Sequence, residues 1–246
     1  MLRVRPLVHT PDPVAAAGFL QALGLRRAED PAANGAFAVF DAGSGRVAVH
    51  GCRPGAPEEG VTALAFDVSD VREFARRTTE AGTAVELTEK EYGLAARITA
   101  PDGTSFLAGI GPRETGAPSS PLAVLALWST PDVGPVGRVL ADMGARPRTG
   151  ATAGARHDFS AKNGGLVGVR AAERPVVALA FEYDGDVRQL VGGLAAAGVE
   201  AAVRDGRSSR SLRVHSPWGA EICVTERQHD AEGYRGTGVQ GAVTGQ

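Results

Sequence analysis

The chain has 246 residues, 43% of them hydrophobic, and a formal net charge of −2. That length supports one large or two small domains with real cores, and the near-neutral balance excludes a general attraction to nucleic acid or to an anionic membrane. No apolar run approaches the ~20 residues that span a bilayer, the N-terminus lacks a charged-then-apolar leader, and the two cysteines, Cys52 and Cys223, are too few for a disulfide framework and lack zinc spacing, so a cytoplasmic protein is expected.

From the N-terminus onward, four short helix-like stretches each open on an aspartate and close on a glycine twelve residues later: Asp12/Gly24, Asp70/Gly82, Asp132/Gly144 and Asp186/Gly198. Aspartate suits a helix N-cap because its side chain accepts an orphan backbone N–H of the first turn. Glycine suits the residue just past a helix end, where the backbone turns left-handed. Pro13 falls at the first helical position, where its missing N–H costs nothing. Glu73 and Gln189 stand three residues after their aspartates, where a capping-box partner belongs. Each aspartate follows an apolar strand-like run and each glycine precedes another. In the second unit the pattern predicts a strand over Thr62–Asp67, a helix over Asp70–Ala81, and strands over Ala84–Leu87, Leu94–Thr99 and Ser105–Gly109. Pro101-Asp102-Gly103 is a natural tight turn before the last of these. The order β-α-β-β-β, used four times, describes the chain.

Residues 115–121 (TGAPSSP) form the clearest linker, built of turn and breaker residues. The halves around it match. Thr10-Pro11-Asp12 is answered by Thr130-Pro131-Asp132, and the segment Asp70 to Leu107 aligns without a gap to Asp186 to Cys223, with Arg97 against Arg213 and Pro101-x-Gly103 against Pro217-x-Gly219. The expected organisation is one domain over 1–114 (modules 1–60 and 61–114) and a second over 122–226 (modules 122–174 and 175–226). The polar, Gly-rich tail 227–246 reads as disordered.

These segments (LVHTPDPVAAAGFLQALGL, TALAFDVSDVREFARRTTEAG, ITAPDGTSF and their counterparts) resemble the vicinal oxygen chelate superfamily, which includes glyoxalase I, extradiol dioxygenases, fosfomycin resistance enzymes and bleomycin-binding proteins. The resemblance covers residue 1 to about residue 226. It implies an α+β fold of four βαβββ modules forming two glyoxalase/bleomycin-resistance-like domains with cup-shaped mixed sheets. It also implies where a metal would sit: one ligand on a module's first strand, seven residues before the capping aspartate, and another on its last strand. The first-strand positions hold Arg5, Ala63, Leu125 and, allowing one extra residue before Asp186, Ala178; the last-strand positions hold His50, Leu107, Arg170 and Cys223. A divalent ion needs several converging O, N or S ligands. No metal and no other cofactor is therefore expected, which weakens the glyoxalase, dioxygenase and transferase readings.

Alternation along the strands assigns the faces. Leu64, Phe66, Leu179 and Phe181 should meet the helices, leaving Ala63, Ala65, Ala178 and Ala180 inward, which suggests an open cup. In the fourth module Arg213, His215, Glu221 and Cys223 should face inward. His215 and Glu221, on adjacent hairpin strands, can pair to give a polarised imidazole. Arg97 and Arg213 can meet an anionic or carbonyl-rich ligand or be tied to strand carboxylates. Arg5 and His9 share the inward face of the first strand. Trp128 falls on the helix side and should be core, whereas Trp218, in the turn at a cup mouth, can stack on a planar ligand or pack between domains. Tyr92, in the matching loop of the first half, is a weaker candidate for the same role.

Three functions are consistent with this. The first is a metal-independent protein that binds a small aromatic or drug-like molecule in an apolar cup, as the antibiotic-sequestering members do; it uses Trp218, His215, Arg213, Glu221, Arg97, Tyr92, Arg5 and His9. The second is an isomerase, lyase or cyclase with His215 and Glu221 as acid–base groups. The third is an interaction module with degenerate cups. A monomer is the leading expectation, with a homodimer as the alternative.

Overall fold

The computed structural model describes residues 1–29, 35–90, 92–113, 116–148, 156–206 and 209–227. The proposed tail beyond residue 227 and the first residue of the proposed linker lie outside them. The first module consists of β1 (Leu2–Val4), β2 (Leu7–Thr10), α1 (Pro13–Ala22), β3 (Arg26–Arg27), β4 (Phe37–Asp41) and β5 (Arg46–Gly51). The second consists of β6 (Thr62–Ala63), β7 (Ala65–Val68), α2 (Val71–Ala81), β8 (Glu86–Lys90), β9 (Gly93–Thr99) and β10 (Ser105–Ile110). After the linker come β11 (Leu122–Thr130), α3 (Val133–Asp142), β12 (Arg146–Pro147), β13 (Arg156–Ser160) and β14 (Leu166–Ala171). The last module has β15 (Val176–Tyr183), a 3₁₀ turn over Val187–Leu190 running into α4 (Val191–Ala196), then β16 (Ala201–Asp205), β17 (Arg210–His215) and β18 (Glu221–Glu226). No helix among the described residues is long and apolar enough to cross a membrane.

In the second half the two modules join through their first strands into one eight-stranded sheet, ordered β12-β13-β14-β11-β15-β18-β17-β16. The first half has the same order, β3-β4-β5-β2-β6 and β1-β7-β10-β9-β8, divided at Pro6. Proline has no N–H for the ladder. The register nevertheless carries across the break, with Leu2 opposite Val68 and Val4 opposite Phe66 before it, and Leu7 opposite Ala63 and Val8 opposite Thr62 after it.

The helix signals hold at their ends and differ in detail. Asp12 and Asp70 accept from the N–H of Ala15 and Glu73, both at 2.9 Å, and Asp186 from Arg188; Asp132 makes no side-chain cap. Gly24, Gly82, Gly144 and Gly198 all have positive φ, from 73° to 124°. Neither capping box forms. The Glu73 carboxylate goes to Arg76 and Arg77, whose guanidinium groups hold it down to about 2, and Gln189 Oε1 accepts from the Tyr183 hydroxyl. Long arginines within one turn outcompete a single backbone N–H.

One face of each sheet packs on its helices, and the core formed there is continuous across both domains, from Val4, Leu20 and Phe66 to Trp128, Leu140 and Phe181. Two indoles fill the seam from opposite sides. Trp128, on β11, is fully buried, lies edge-on to Phe106 and donates to Asp102 Oδ2 in the Pro101-Asp102-Gly103 turn at 2.8 Å. Trp218, in the corresponding turn of the second half, lies edge-on to Phe19 of α1 with ring centroids 5.3 Å apart.

The domains are also interlocked through backbone. The hairpin between β4 and β5 pairs with the start of β11: Ser44 N–H donates to Leu122 O and Ser44 O accepts from Val124 N–H. The hairpin between β13 and β14 repeats the arrangement on β1: Asn163 N–H donates to Leu2 O and Gly164 O accepts from Val4 N–H at 3.0 Å. Where the hairpins cross, Gly165 has φ +84° and a Cβ there would lie 2.5 Å from Val4 Cβ. Only glycine tolerates both the left-handed backbone and that approach. Gly165→Ala should therefore cost about 2–4 kcal/mol in urea unfolding. Gly18→Ala, in open space on α1, should stabilise by roughly 0.5–1 kcal/mol.

Candidate functional site

The faces turned away from the helices are the cups, and register defines one equivalent row across each. In the first domain it runs Asp41, Arg46, Arg5, Ala65, Leu107, Arg97 and Glu86. In the second it runs Ser160, Leu166, Leu125, Ala180, Cys223, Arg213 and Ala202. The same backbone positions carry opposite chemistry.

In the first cup the row is charged. Arg46 is buried and donates through Nε to Asp41 Oδ1 at 2.7 Å and through Nη1 to Asp67 Oδ2 at 3.2 Å. Asp67 Oδ1 takes a third bond, 2.5 Å from Arg5 Nε. Arg3, one strand-repeat away, donates to the carbonyls of Asn163, Pro112 and Arg113. Its burial pulls its pKa down, with Asp67 as the main opposing influence. Buried charges persist only when paired this completely. Arg5 is thus an ion-pair partner of Asp67 rather than a free ligand contact. Sequence reading missed Arg3, Asp41, Arg46 and Asp67; alternation puts Arg3 and Arg5 on one face and was the signal available.

Further along that cup His9 and His50 are adjacent, with ring centroids 5.6 Å apart and nearly perpendicular, and Phe37 flanks His50 at 6.5 Å. Nδ1 of His9 lies 3.4 Å from the Val61 carbonyl. Burial pushes the His9 pKa down; the Val61 carbonyl opposes this, and His50 adds to it. Across the sheet, Arg97 is half-buried with an unpartnered, buried Nε, and Glu86 opposite it makes no ion pair with it.

In the second cup Leu125, Leu166 and Ala180 form a separate apolar cluster, with half-buried Ala123 and Leu127 against it. Ala178 and Cys223 are half-buried beside them. The alanines expected to leave open space divide: Ala65 and Ala180 are buried, and Ala63 and Ala178 are half-buried. At the rim Arg170 donates through Nε to Ser129 Oγ at 2.8 Å. His215 stands opposite Glu221, as the alternation predicts. The expected His215–Glu221 pair does not form, because Glu221 is taken by the Nη1 of Arg213; a guanidinium on the neighbouring strand is the stronger partner for a carboxylate. Arg213 is thereby the strand-tied alternative.

Of the aromatic candidates, Trp218 is 6% exposed and packed in the domain seam, which corrects the expectation of ligand stacking: a turn of this length next to α1 buries the ring rather than presenting it. Its indole N–H is buried without an acceptor. Tyr92 is 59% exposed at the β8–β9 hairpin.

The positions that the resemblance assigns to metal ligands do not suit a divalent ion. The second domain offers Leu125, Arg170, Ala178 and Cys223, the first Arg5, His50, Ala63 and Leu107. Among the described residues no three His, Cys, Asp or Glu side chains converge as an ion requires.

No protein-family model and no curated protein matches the sequence. Solved structures do. The 2,3-dioxygenase LapB from Pseudomonas sp. KL28 superposes with a TM-score of 0.59 at 13% identity over 92% of this chain and 91% of that one. A catechol 2,3-dioxygenase gives 0.61 at 12%, over 92% and 89%. The Mn(II)-bound glyoxalase from Novosphingobium aromaticivorans gives 0.57 at 17%, over 91% and 80%. The chain therefore has the fold of the vicinal oxygen chelate superfamily, with two glyoxalase-like domains.

Two outcomes follow from the charged cup. Asp67→Asn leaves two guanidinium groups without their shared carboxylate and should cost about 3–5 kcal/mol by urea unfolding. Because the His9 pKa is lowered by folding, its neutral form stabilises fully above the unfolded value of about 6.5, and that contribution is lost as pH falls through the lower folded value. Thermal melts between pH 7.5 and pH 5 should show a smaller acid-side loss for His9→Gln than for the wild type.

Proposed function

We propose that the protein binds a small, flat, largely apolar molecule in the cup of the second domain, without a divalent metal and without turnover, as a sequestering protein would. The observation that carries this reading is the apolar cluster of Leu125, Leu166 and Ala180, standing at the level where the first domain has its buried ion network, with Leu125 itself at a position where the resemblance would place a metal ligand. Ligand pockets are mostly apolar with a few orienting polar groups. Leu127, Ala178 and Cys223 supply the wall, and Arg213, Glu221 and His215 the polar rim. The acid–base alternative is less well supported, since Glu221 is held by Arg213 and both His215 and Glu221 are exposed.

The test is a thermal-shift screen of planar natural products on wild type and on Ala178→Trp, which fills the cup. A ligand at a hundred times its Kd adds about 2.7 kcal/mol of stability. The expected outcome is a shift in wild type that survives chelator, disappears in Ala178→Trp, and returns the ligand chemically unchanged by mass spectrometry. A tightly held divalent ion at one per chain, or a modified ligand, would refute the reading.

A further inference from the structure

A second site lies in the other domain, at the end of the first cup nearest the linker. A cavity of ≈ 530 Å³ opens there, lined by Arg26, Arg27, Glu29, Asp41 and Arg46, with Pro112 and, from the linker, Gly116. Its size falls in the range of small-molecule sites, about 300–1,000 Å³.

Its charge is unbalanced. The buried cluster behind it holds three arginines, Arg3, Arg5 and Arg46, against two aspartates, Asp41 and Asp67. Arg46 lines the cavity and spends Nε and Nη1 on those aspartates, which leaves Nη2 without a partner among the described residues. Arg26 sits opposite Asp41 across the β3–β4 ladder, yet neither its side chain nor that of Arg27 has a hydrogen bond or ion pair among the described residues. Two carboxylates oppose an anion here. Asp41 is already neutralised by Arg46, and Glu29 is exposed. Gly116 passes close enough over the Arg26 guanidinium that a Cβ would come within 3.0 Å of Nη2, so the linker narrows the cavity on that side.

We propose that this cavity binds a compact polyanionic small molecule, a phosphate ester or a di- or tricarboxylate, through Arg26, Arg27 and the free Nη2 of Arg46. Planar guanidinium forks bind both oxyanion types in paired hydrogen bonds, and a partly buried site strengthens the attraction over that of surface charges. The site is independent of the apolar cup of the second domain.

The experiment is isothermal titration of the full chain at low salt with pyrophosphate and, separately, citrate. The comparison proteins are Arg26→Ala/Arg27→Ala and the control Arg72→Ala, which removes an exposed arginine from α2. Both altered arginines of the double variant are exposed and unpartnered, so it should melt as wild type does without ligand. The expected result is saturable binding of at least one probe at one per chain, weakened tenfold or more in the double variant and retained in Arg72→Ala; the probe that binds identifies the anion class. Absence of saturable binding for both probes, or equal affinity in the double variant, overturns the proposal. Neither result bears on the aromatic-ligand screen, and Ala178→Trp should leave the anion affinity unchanged.

Discussion

The reciprocal crossing of two hairpins is the constraint on which the remainder of the molecule depends. Ser44 completes the opening of β11, and Gly164 completes the opening of β1, each through backbone hydrogen bonds. Neither first strand is fully satisfied within its own domain, and a buried unpaired backbone group costs about as much as a lost hydrogen bond. The crossing hairpins are also the ends of β4–β5 and β13–β14, the strands that carry Asp41, Arg46 and Leu166. Where the domains meet is therefore where the cup floors are set. Arg3 strengthens the joint by binding the carbonyls of Pro112 and Arg113, just before the linker, together with that of Asn163 in the opposite hairpin.

From that shared frame the two cups diverge. A charge introduced at this buried level requires a full set of partners, because a lone ion cannot be desolvated cheaply. The first domain meets the requirement with Arg5, Arg46, Asp41 and Asp67 in one chain of bonds. The second avoids it with Leu125, Leu166 and Ala180. Arg97 and Arg213 remain alike in position, but among the described residues only Arg213 is ion-paired, to Glu221, while Arg97 stands opposite Glu86 without pairing to it. Two cups built on the same strand order thus carry different chemistry, one apolar and one bordered by arginines.

Much of the scaffold was legible because its signals are local. An aspartate and a glycine bracketing a helix act within a few residues, and strand alternation correctly put Leu64, Phe66, Leu179 and Phe181 against the helices. Side-chain partner choice was not legible in the same way. Glu73 and Gln189 stand where capping boxes form, yet Arg76, Arg77 and Tyr183 claim them. Glu221 stands beside both His215 and Arg213 and goes to Arg213.

The sequence by itself determined the fourfold module, the helix limits and the faces of the strands, since each follows from residue type and spacing along one strand or helix. Only the tertiary structure decided that Trp218 is buried in the domain seam against Phe19 and that Asp67 gathers Arg5 and Arg46 into one buried network. Those outcomes depend on which module lies against which, and long-range contacts of that kind leave no periodic trace in the chain.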